Sequence, residues 1–273
     1  SRVLARLGLQ ATELFCDMDG RFPNHHPDPT VPENLAHLLA AVKEKSALVG
    51  IAFDGDGDRV GVVDGSGEII WGDRLLALCA RPVLAQNPGA AVLGDVKCSQ
   101  VLFDDVARHG GRPIMFKTGH SLIKTKMKEE HAVLAGEMSG HFFFADRFFG
   151  HDDAIYAALR VLEILTREGK GPSELLADLP RTVSTPELRF DCPDALKFAV
   201  VKGTLEKLRG QGELNEIDGV RVTWPDGAWG LVRASNTGPV IVMRFEAPTP
   251  ERLAEVRGLV ESIVRGERAG ASA

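Results

Sequence analysis

Three aspartates at alternate positions are the strongest chemical signal in the sequence. Asp54, Asp56 and Asp58 stand in the run Asp-Gly-Asp-Gly-Asp-Arg, directly after the strand-like segment 48–53. The intervening glycines let a short loop curl so that all three carboxylates point inward. Clustered carboxylates repel one another unless a cation lies among them, and an all-oxygen ligand set favours Mg²⁺ or Ca²⁺ over Zn²⁺. The plainer alternative is an acidic surface turn.

A second run, Gly-Glu-Met-Ser-Gly-His, follows the strand-like segment 132–135 and contains Glu137 and Ser139. A carboxylate and a hydroxyl flanked by glycines can accept and donate hydrogen bonds to sugar hydroxyls. The same composition also suits a tight strand-to-loop turn with no binding role.

A third loop combines a guanidinium, two hydroxyls and an amide on a flexible backbone. Its side chains are those of Arg233, Ser235, Asn236 and Thr237. Such groups bind phosphate. Taken alone the signal is weak, because Ser-Asn-Thr-Gly is also a common turn composition.

Lys97 and His120 each follow a predicted strand, and His120 also stands at a predicted helix start. His120 could act as an acid, a base or a phosphate contact. A lone His is more often structural and a lone Lys more often solvated. Parallel α/β sheets, however, bind ligands at the carboxyl ends of their strands, so a functional role for both has as much support as a structural one.

A rival interpretation starts from Phe15–Gly20, which resembles the first motif of the haloacid-dehalogenase-like phosphatases. In that family the first aspartate, here Asp17, is the nucleophile, and the second, here Asp19, is an acid/base. Arg21 replaces the expected Thr, and the Pro-rich segment 23–29 replaces the expected helix. We therefore interpret the segment as a turn.

The hydrophobic pattern predicts the elements that position these loops. It indicates a helix at 33–46 and a hairpin of strands 60–63 and 68–71. Helices and strands then alternate, which predicts parallel pairing in a layered α/β domain. The predicted helices are 73–86, 99–109, 120–131 and 152–168. The predicted strands are 91–96, 113–116 and 132–136.

A Pro- and Gly-containing linker is predicted at 171–186, and the pattern then changes to a smaller α+β module with a frayed tail from Gly266. Its predicted strands are 187–191, 219–224, 229–233 and 240–245. Its predicted helices are 194–209 and 250–264.

Composition excludes several classes of protein. The 273 residues carry a net charge of -6, which argues against a nucleic-acid binder, and no apolar run approaches the length of a membrane span. Four scattered cysteines without a C-x-x-C pair disfavour a zinc site or a disulfide framework, so we expect reduced thiols in a cytoplasmic protein. The first residue is Ser1 rather than Met, which predicts further sequence upstream.

Taken together, the motifs resemble the α-D-phosphohexomutase superfamily. The matching segments are Asp54–Arg59, Lys117–Ser121, Gly136–His141 and Arg233–Gly238, in this order and at these separations. Gly-Glu-Met-Ser-Gly-His in particular resembles the bacterial phosphomannomutase/phosphoglucomutase branch, whereas phosphoglucosamine mutases usually carry Gln at the position of Met138.

The resemblance implies a fold and an activity. Members have four domains, of which three share a mixed α/β sheet fold and the fourth is an α+β domain like the TATA-box-binding protein. They interconvert hexose 1-phosphates and 6-phosphates through a hexose 1,6-bisphosphate intermediate, with a phosphoserine in the first domain and Mg²⁺ on the aspartate triad. The implied partners are therefore the phosphohexose and the bisphosphate, with neither nucleic acid nor membrane.

The resemblance also implies roles for residues. The metal ligands match Asp54, Asp56 and Asp58. Arg59 matches the cation beside the phosphoserine, and Lys97 and His120 match general acid/base candidates near the reacting oxygens. Glu137 and Ser139 match contacts to sugar hydroxyls. The loop that grips the non-transferring phosphate matches Arg233, Ser235, Asn236 and Thr237.

The sequence departs from the family in one large respect. The phosphoserine motif, Thr-Ala-Ser-His-Asn-Pro or a close variant, is absent from these residues. The resemblance therefore predicts a fragment that lacks the N-terminal domains: 1–70 as the end of domain II with the metal loop, 71–180 as domain III for sugar recognition, and 181–273 as domain IV for phosphate binding. The alternatives are a sugar-phosphate-binding module without turnover and an aspartyl-phosphate phosphatase, and the sequence does not decide between mannose and glucose.

Overall fold

Three β-sheets organise the part of the chain, residues 2–17 and 19–271, that the computed structural model describes. The first sheet is antiparallel, in the order β1-β2-β3. Its strands are β1 (Val49–Phe53), β2 (Val60–Asp64) and β3 (Ile69–Ile70). The helical segments before it are α1 (Arg2–Arg6), a 3₁₀ turn (Pro32–Leu35) and α2 (Ala36–Lys45). The predicted hairpin is confirmed, and its apolar side packs under α2 through Val63, Leu35 and Val42.

The second sheet has the order β5-β4-β6-β7 and lies among helices. Its strands are β4 (Ala91–Asp95), β5 (Arg112–Phe116), β6 (Leu134–Gly136) and β7 (Phe142–Phe144). The helices are α3 (Gly72–Gln86), α4 (Gln100–Arg108), α5 (His120–Glu130), α6 (Ala154–Glu168) and α7 (Pro172–Leu175). β4 pairs in parallel with both β5 and β6, as predicted, whereas β7 pairs antiparallel with β6. The prediction missed β7, because three residues are too short to show a period.

The helices of this region begin and pack as their sequences dictate. The Asp153 carboxylate accepts from the Tyr156 amide at 2.8 Å to cap α6, and the Ser99 hydroxyl accepts from the Val101 amide at 3.1 Å to cap α4. Apolar side chains spaced along α3, α4 and α6 share one buried core with β4, β6 and β7. The rigid sheet therefore holds the loops at its strand ends in fixed positions.

The third sheet is antiparallel, in the order β10-β11-β12-β13-β8, with β9 also paired to β13. Its strands are β8 (Val183–Ser184), β9 (Leu188–Asp191), β10 (Glu213–Asn215), β11 (Val220–Thr223), β12 (Trp229–Ala234) and β13 (Val240–Ala247). Two helices, α8 (Asp194–Leu208) and α9 (Pro250–Ala271), share its apolar core. The predicted fold class, mixed α/β followed by an α+β module, is confirmed.

Two local predictions are wrong. The segment 171–186 is not an open linker, because α7 forms within it and Leu176 and Leu179 are buried in the core of the second sheet. The tail from Gly266 is helical to Ala271, and within it Glu267 pairs with Lys207 at 2.8 Å and Arg268 lies over the Phe190 ring at 5.1 Å. Among the described residues, no helix combines the length and apolarity that crossing a bilayer requires.

Candidate active site

Asp54 organises the acidic loop that follows β1. One carboxylate oxygen, Oδ1, accepts the backbone N–H groups of Gly57, Asp58 and Arg59, each at 3.1 Å. The other, Oδ2, accepts from Arg59 Nε at 2.6 Å. Burial opposes ionisation, but these bonds from Arg59 together hold the pKa of Asp54 below its ordinary value. The loop therefore curls around a buried, ionised carboxylate.

The three predicted metal ligands converge in this loop. Carboxylate oxygens of Asp54, Asp56 and Asp58 all lie within 4.8 Å of one another. Burial, together with repulsion from the other two carboxylates, raises the pKa of Asp58. An all-oxygen donor set with unbalanced like charge fits a hard divalent cation.

Arg59 joins the acidic loop to two other segments. Its Nη1 donates to Asp28 Oδ1 at 3.2 Å, so the Pro-rich segment that precedes α2 reaches the loop. Its backbone forms a β-bridge with His141, and the Val60 amide donates to the Gly140 carbonyl at 3.0 Å. Gly140 has φ of 98°, and a Cβ there would lie 2.6 Å from the Val60 carbonyl oxygen, so this close approach requires glycine. The acidic loop and the β6–β7 turn are thus held edge to edge.

Glu137 lies buried in the β6–β7 turn and accepts two hydrogen bonds. Its Oε1 accepts from the Gly119 amide at 2.7 Å, and its Oε2 lies 3.3 Å from His141 Nδ1. Burial opposes ionisation, but the bonds from His141 and Gly119 hold the pKa of Glu137 below its ordinary value. Ser139 Oγ lies 3.0 Å from the same His141 nitrogen. The sequence reasoning did not single out His141, although it closes the same six-residue motif.

His120 begins α5 and lies at the exposed side of the same region. Its Nδ1 is 2.9 Å from Asp152 Oδ2, and its ring centroid is 5.7 Å from that of His141. Lys124 Nζ donates to the other Asp152 oxygen at 2.9 Å. The position of Asp152 next to His120 could not be predicted, because it depends on how α5 and α6 pack.

Lys97 is buried after β4 among carboxylates. Its Nζ is 3.3 Å from Glu187 Oε2 and 3.8 Å from Asp95 Oδ2. Burial disfavours the charged form, but Asp95, Glu187 and Glu137 outweigh it and raise the pKa of Lys97. Lys97 is therefore a protonated cation.

Two arginines of the third sheet bind the backbone carbonyls around Lys97. Arg221 Nη1 donates to the carbonyls of Val96 and Cys98 at 2.8 and 2.7 Å, and Arg244 Nη1 donates to the Lys97 carbonyl. The Arg221 guanidinium lies 3.8 Å from the centroid of the Trp229 ring, and burial lowers the pKa of Arg221 to about 10. The sequence gives no local signal for these contacts, because the arginines come from β11 and β13.

Arg233, near the end of β12, has one guanidinium nitrogen paired and another without a partner among the described residues. Its Nε donates to Asp218 Oδ2 at 2.9 Å, whereas Nη2 is buried without a hydrogen-bond partner among the described residues. Asp218 Oδ2 also accepts the Thr118 amide at 3.1 Å. The next amide, that of Gly119, donates to Glu137 at 2.7 Å. Two successive amides therefore connect the loop of Arg233 to the loop of Glu137.

Lys197 holds the backbone of the loop that follows Arg233. Lys197 Nζ donates to the carbonyls of Ser235 and Gly238 at 2.7 and 3.2 Å, and Ser235 Oγ accepts the Thr237 amide at 3.2 Å. Asn236 and Thr237 are exposed. We define Arg233–Gly238 as the Arg233 loop. Its conformation depends on the buried ammonium of Lys197.

Replacing Lys197 by Met should lower the free energy of unfolding by about 2–4 kcal/mol, because two carbonyls lose a charged donor. Urea unfolding of the chain measures this change in the free energy of unfolding. Lys202→Met is the matched control on the same helix, since Lys202 is exposed, and a change within about 0.5 kcal/mol is expected there. Equal effects of the two substitutions would show that Lys197 does not support the loop.

Asp17 is exposed, and Asp19 begins a turn. Asp19 pairs with Arg21 at 2.7 Å, and the Phe22 amide donates to the Asp19 carbonyl at 2.9 Å. Met18 of the phosphatase-like motif lies outside the described residues.

Comparison with known proteins identifies the class to which this fold and site belong. The family models that match are the phosphoglucomutase/phosphomannomutase alpha/beta/alpha domain II at residues 1–67, alpha/beta/alpha domain III at 71–183 and the C-terminal domain at 187–262. The chain belongs to the phosphoglucomutase/phosphomannomutase family. The resemblance drawn from the motifs is therefore confirmed.

Individual members of this family share about half of their aligned residues with this chain. The chain is 51% identical over 257 residues to the phosphomannomutase/phosphoglucomutase of Pseudomonas aeruginosa, covering 94% of this chain and 55% of the relative. It is 50% identical over 261 residues to the phosphoglucomutase of Neisseria gonorrhoeae, covering 94% and 56%. The crystal structure of a phosphoglucomutase/phosphomannomutase family protein from Burkholderia thailandensis matches with a TM-score of 0.90 and 48% identity, covering 98% of this chain and 57% of that one. The chain thus spans about half the length of the relatives it matches.

Proposed function

We propose that this chain is the sugar- and phosphate-binding part of a hexose-phosphate mutase. In the proposed reaction, hexose 1-phosphate and 6-phosphate interconvert through hexose 1,6-bisphosphate, and the serine that carries the phosphoryl group lies outside these residues. The observation that carries the proposal is the pair of successive amides at Thr118 and Gly119. One binds the carboxylate that orients Arg233, and the other binds Glu137. Groups suited to a phosphate and to sugar hydroxyls are thereby linked in one hydrogen-bonded network.

The unpaired guanidinium nitrogen of Arg233 supports a phosphate-binding role. Nη2 lacks an acceptor among the described residues, and a phosphate oxygen would supply one. The phosphate that is not transferred would also accept hydrogen bonds from the hydroxyls of Ser235 and Thr237 and the amide of Asn236. Because the sugar must turn around between the two transfers, the same loop would bind either the 1-phosphate or the 6-phosphate.

Glu137 and Ser139 are the proposed contacts to sugar hydroxyls. Glu137 is ionised and fixed by the Gly119 amide, so it offers acceptor lone pairs in a defined place. Ser139 can donate or accept. We propose that both mannose and glucose phosphates are accepted, consistent with the double name of the relative from Pseudomonas aeruginosa.

The proposed cation is Mg²⁺, held by Asp54, Asp56 and Asp58. When bound, it would neutralise negative charge beside the phosphoryl group in transfer. Arg59 would add a fixed positive charge at the same edge, since Asp54 and Asp28 orient its guanidinium. We propose that domain II ends near residue 70, domain III near 180, and that domain IV follows.

Lys97 and His120 are the proposed general acid/base candidates. Lys97 is held protonated, so it suits stabilisation of negative charge or donation of a proton to a reacting oxygen. The Nδ1 of His120 is occupied by Asp152, so Nε2 is the atom that would accept a proton from a sugar hydroxyl. Asp152 would then be a positioning residue.

Titration calorimetry of the chain tests the binding half of the proposal. Glucose 1-phosphate, glucose 6-phosphate and the two mannose phosphates should each bind at one site. Glucose and mannose without phosphate should give no heat. Equal heats with phosphorylated and free sugars, or none with either, would contradict the assignment.

A further inference from the structure

Two histidines and two aspartates converge at the junction of the acidic loop, the β6–β7 turn and the starts of α5 and α6. One ligand atom from each lies within 4.8 Å of the others. We propose that this cluster is a second metal site, selective for Zn²⁺ over Mg²⁺, whose ligands are Asp58, His120, His141 and Asp152. It is distinct from the all-oxygen triad, although Asp58 belongs to both.

The distances suit a four-coordinate ion. His141 Nε2 is 3.4 Å from Asp58 Oδ2, and His120 Nδ1 is 2.9 Å from Asp152 Oδ2. In a tetrahedral zinc site with ligands at about 2.0–2.2 Å, neighbouring ligand atoms lie about 3.3 Å apart. Two of the ligand pairs therefore already lie near the separation that a tetrahedral ion requires. Four donors of mixed nitrogen and oxygen type favour Zn²⁺, whereas Mg²⁺ requires six oxygens in octahedral geometry.

A second observation concerns the ring nitrogen of His141 that faces away from Asp58. Its Nδ1 lies 3.3 Å from Glu137 Oε2 and 3.0 Å from Ser139 Oγ. A carboxylate that holds one imidazole nitrogen fixes the ring orientation and leaves the other nitrogen free to ligate, as in most zinc sites that contain histidine. Here the free nitrogen, Nε2, faces Asp58.

The backbone holds the ligands in place before any ion binds. Arg59, next to Asp58, is bridged to His141, and Phe143 is bridged to Asp152. His120 is half exposed, which leaves a route of entry for the ion. One nearby charge opposes binding, since Lys124 Nζ lies 2.9 Å from Asp152 Oδ1.

The cysteine pattern argued against a zinc site. It could not indicate this one, because the proposed ligands are imidazoles and carboxylates from four distant segments. Since Asp58 serves both sites, Zn²⁺ and the triad cation should compete. On the proposed function, Zn²⁺ would also occupy His120 and so inhibit the mutase. The binding test below does not depend on turnover, so its failure is separate from failure of the proposed function.

The test is titration of Zn²⁺ into the chelator-treated chain, by calorimetry, first without Mg²⁺ and then with Mg²⁺, which should weaken the binding because the two sites share Asp58. One Zn²⁺ should bind per chain. His120→Ala and Asp152→Asn should each weaken it by at least about tenfold, whereas Asp56→Asn, which alters the triad alone, should leave it nearly unchanged. Lys124→Gln should tighten binding, because it removes the opposing charge.

Three results would overturn the proposal. Absence of Zn²⁺ binding even without Mg²⁺ would show that the cluster is not a site. Weakening by Asp56→Asn equal to that by His120→Ala would place the ion in the triad. Unchanged affinity in both His120→Ala and Asp152→Asn, with thermal unfolding confirming that the variants are folded, would exclude these ligands.

Discussion

Replacing Arg233 by Ala is expected to weaken binding of both hexose 1-phosphates and 6-phosphates by about a hundredfold, the loss of roughly two charge-assisted hydrogen bonds. Both affinities should fall alike, because in the proposed reaction the phosphate that is not transferred meets the same loop in either orientation of the sugar. Arg233→Lys should also be impaired, since a point charge does not reproduce the planar fork. Titration calorimetry of the chain with each phosphosugar measures the effect.

The matched control is Arg209→Ala. Arg209 is exposed and pairs with Glu206 of the preceding helix, so its loss removes the same charge from a residue outside the proposed site. Its phosphosugar affinities should equal those of the unaltered chain. Unchanged affinity for both phosphates in folded Arg233→Ala would contradict the assignment of this loop.

Asp56→Asn is expected to lower phosphoryl transfer by about 10²- to 10³-fold, the loss that follows removal of one electrostatic group from a reacting centre. Asp56 is exposed and makes no hydrogen bond within the described part of the chain, so the midpoint of thermal unfolding should not change. The assay needs a phosphoserine. It therefore uses a chimaera in which the N-terminal half of the Pseudomonas aeruginosa relative precedes this chain, and follows conversion of 1-phosphate to 6-phosphate.

Asp191→Asn in the same chimaera is the control for this substitution. Asp191 is an exposed aspartate in β9, far along the chain from the triad. It should leave turnover unaltered. If Asp56→Asn also left turnover unaltered, the triad would have no part in the reaction.

Sequence reasoning succeeded where a local pattern determines the structure. The acidic run follows a strand-length apolar segment, so its place at the end of β1 could be predicted. The turn of Glu137 and Ser139 likewise follows an apolar segment, and its Gly140 lies at the close approach to Val60. These features depend on residues that are neighbours in the chain.

Partners that come from distant segments could not be predicted. Asp218 orients Arg233 and binds the Thr118 amide from a loop 100 residues earlier. Arg221 fixes the backbone beside Lys97 across a separation of more than 120 residues. No periodicity or motif reports such pairs, because they exist only once the sheets have packed.

The central claim is that these residues belong to a hexose-phosphate mutase, and the interconversion of mannose 1-phosphate and 6-phosphate tests it most directly. It should be measured for the chimaera and for the 273-residue chain alone, with Mg²⁺ and a hexose 1,6-bisphosphate primer. We predict turnover by the chimaera and none by the chain, in which Ser99 is buried and bonded to Glu246 at 2.7 Å and is unfit to carry a phosphoryl group. A folded chimaera that binds phosphosugars without interconverting them would contradict the account in favour of a binding module. Turnover by the chain alone at the rate of the chimaera would contradict it in favour of a nucleophile within these residues, Asp17 being the first to test.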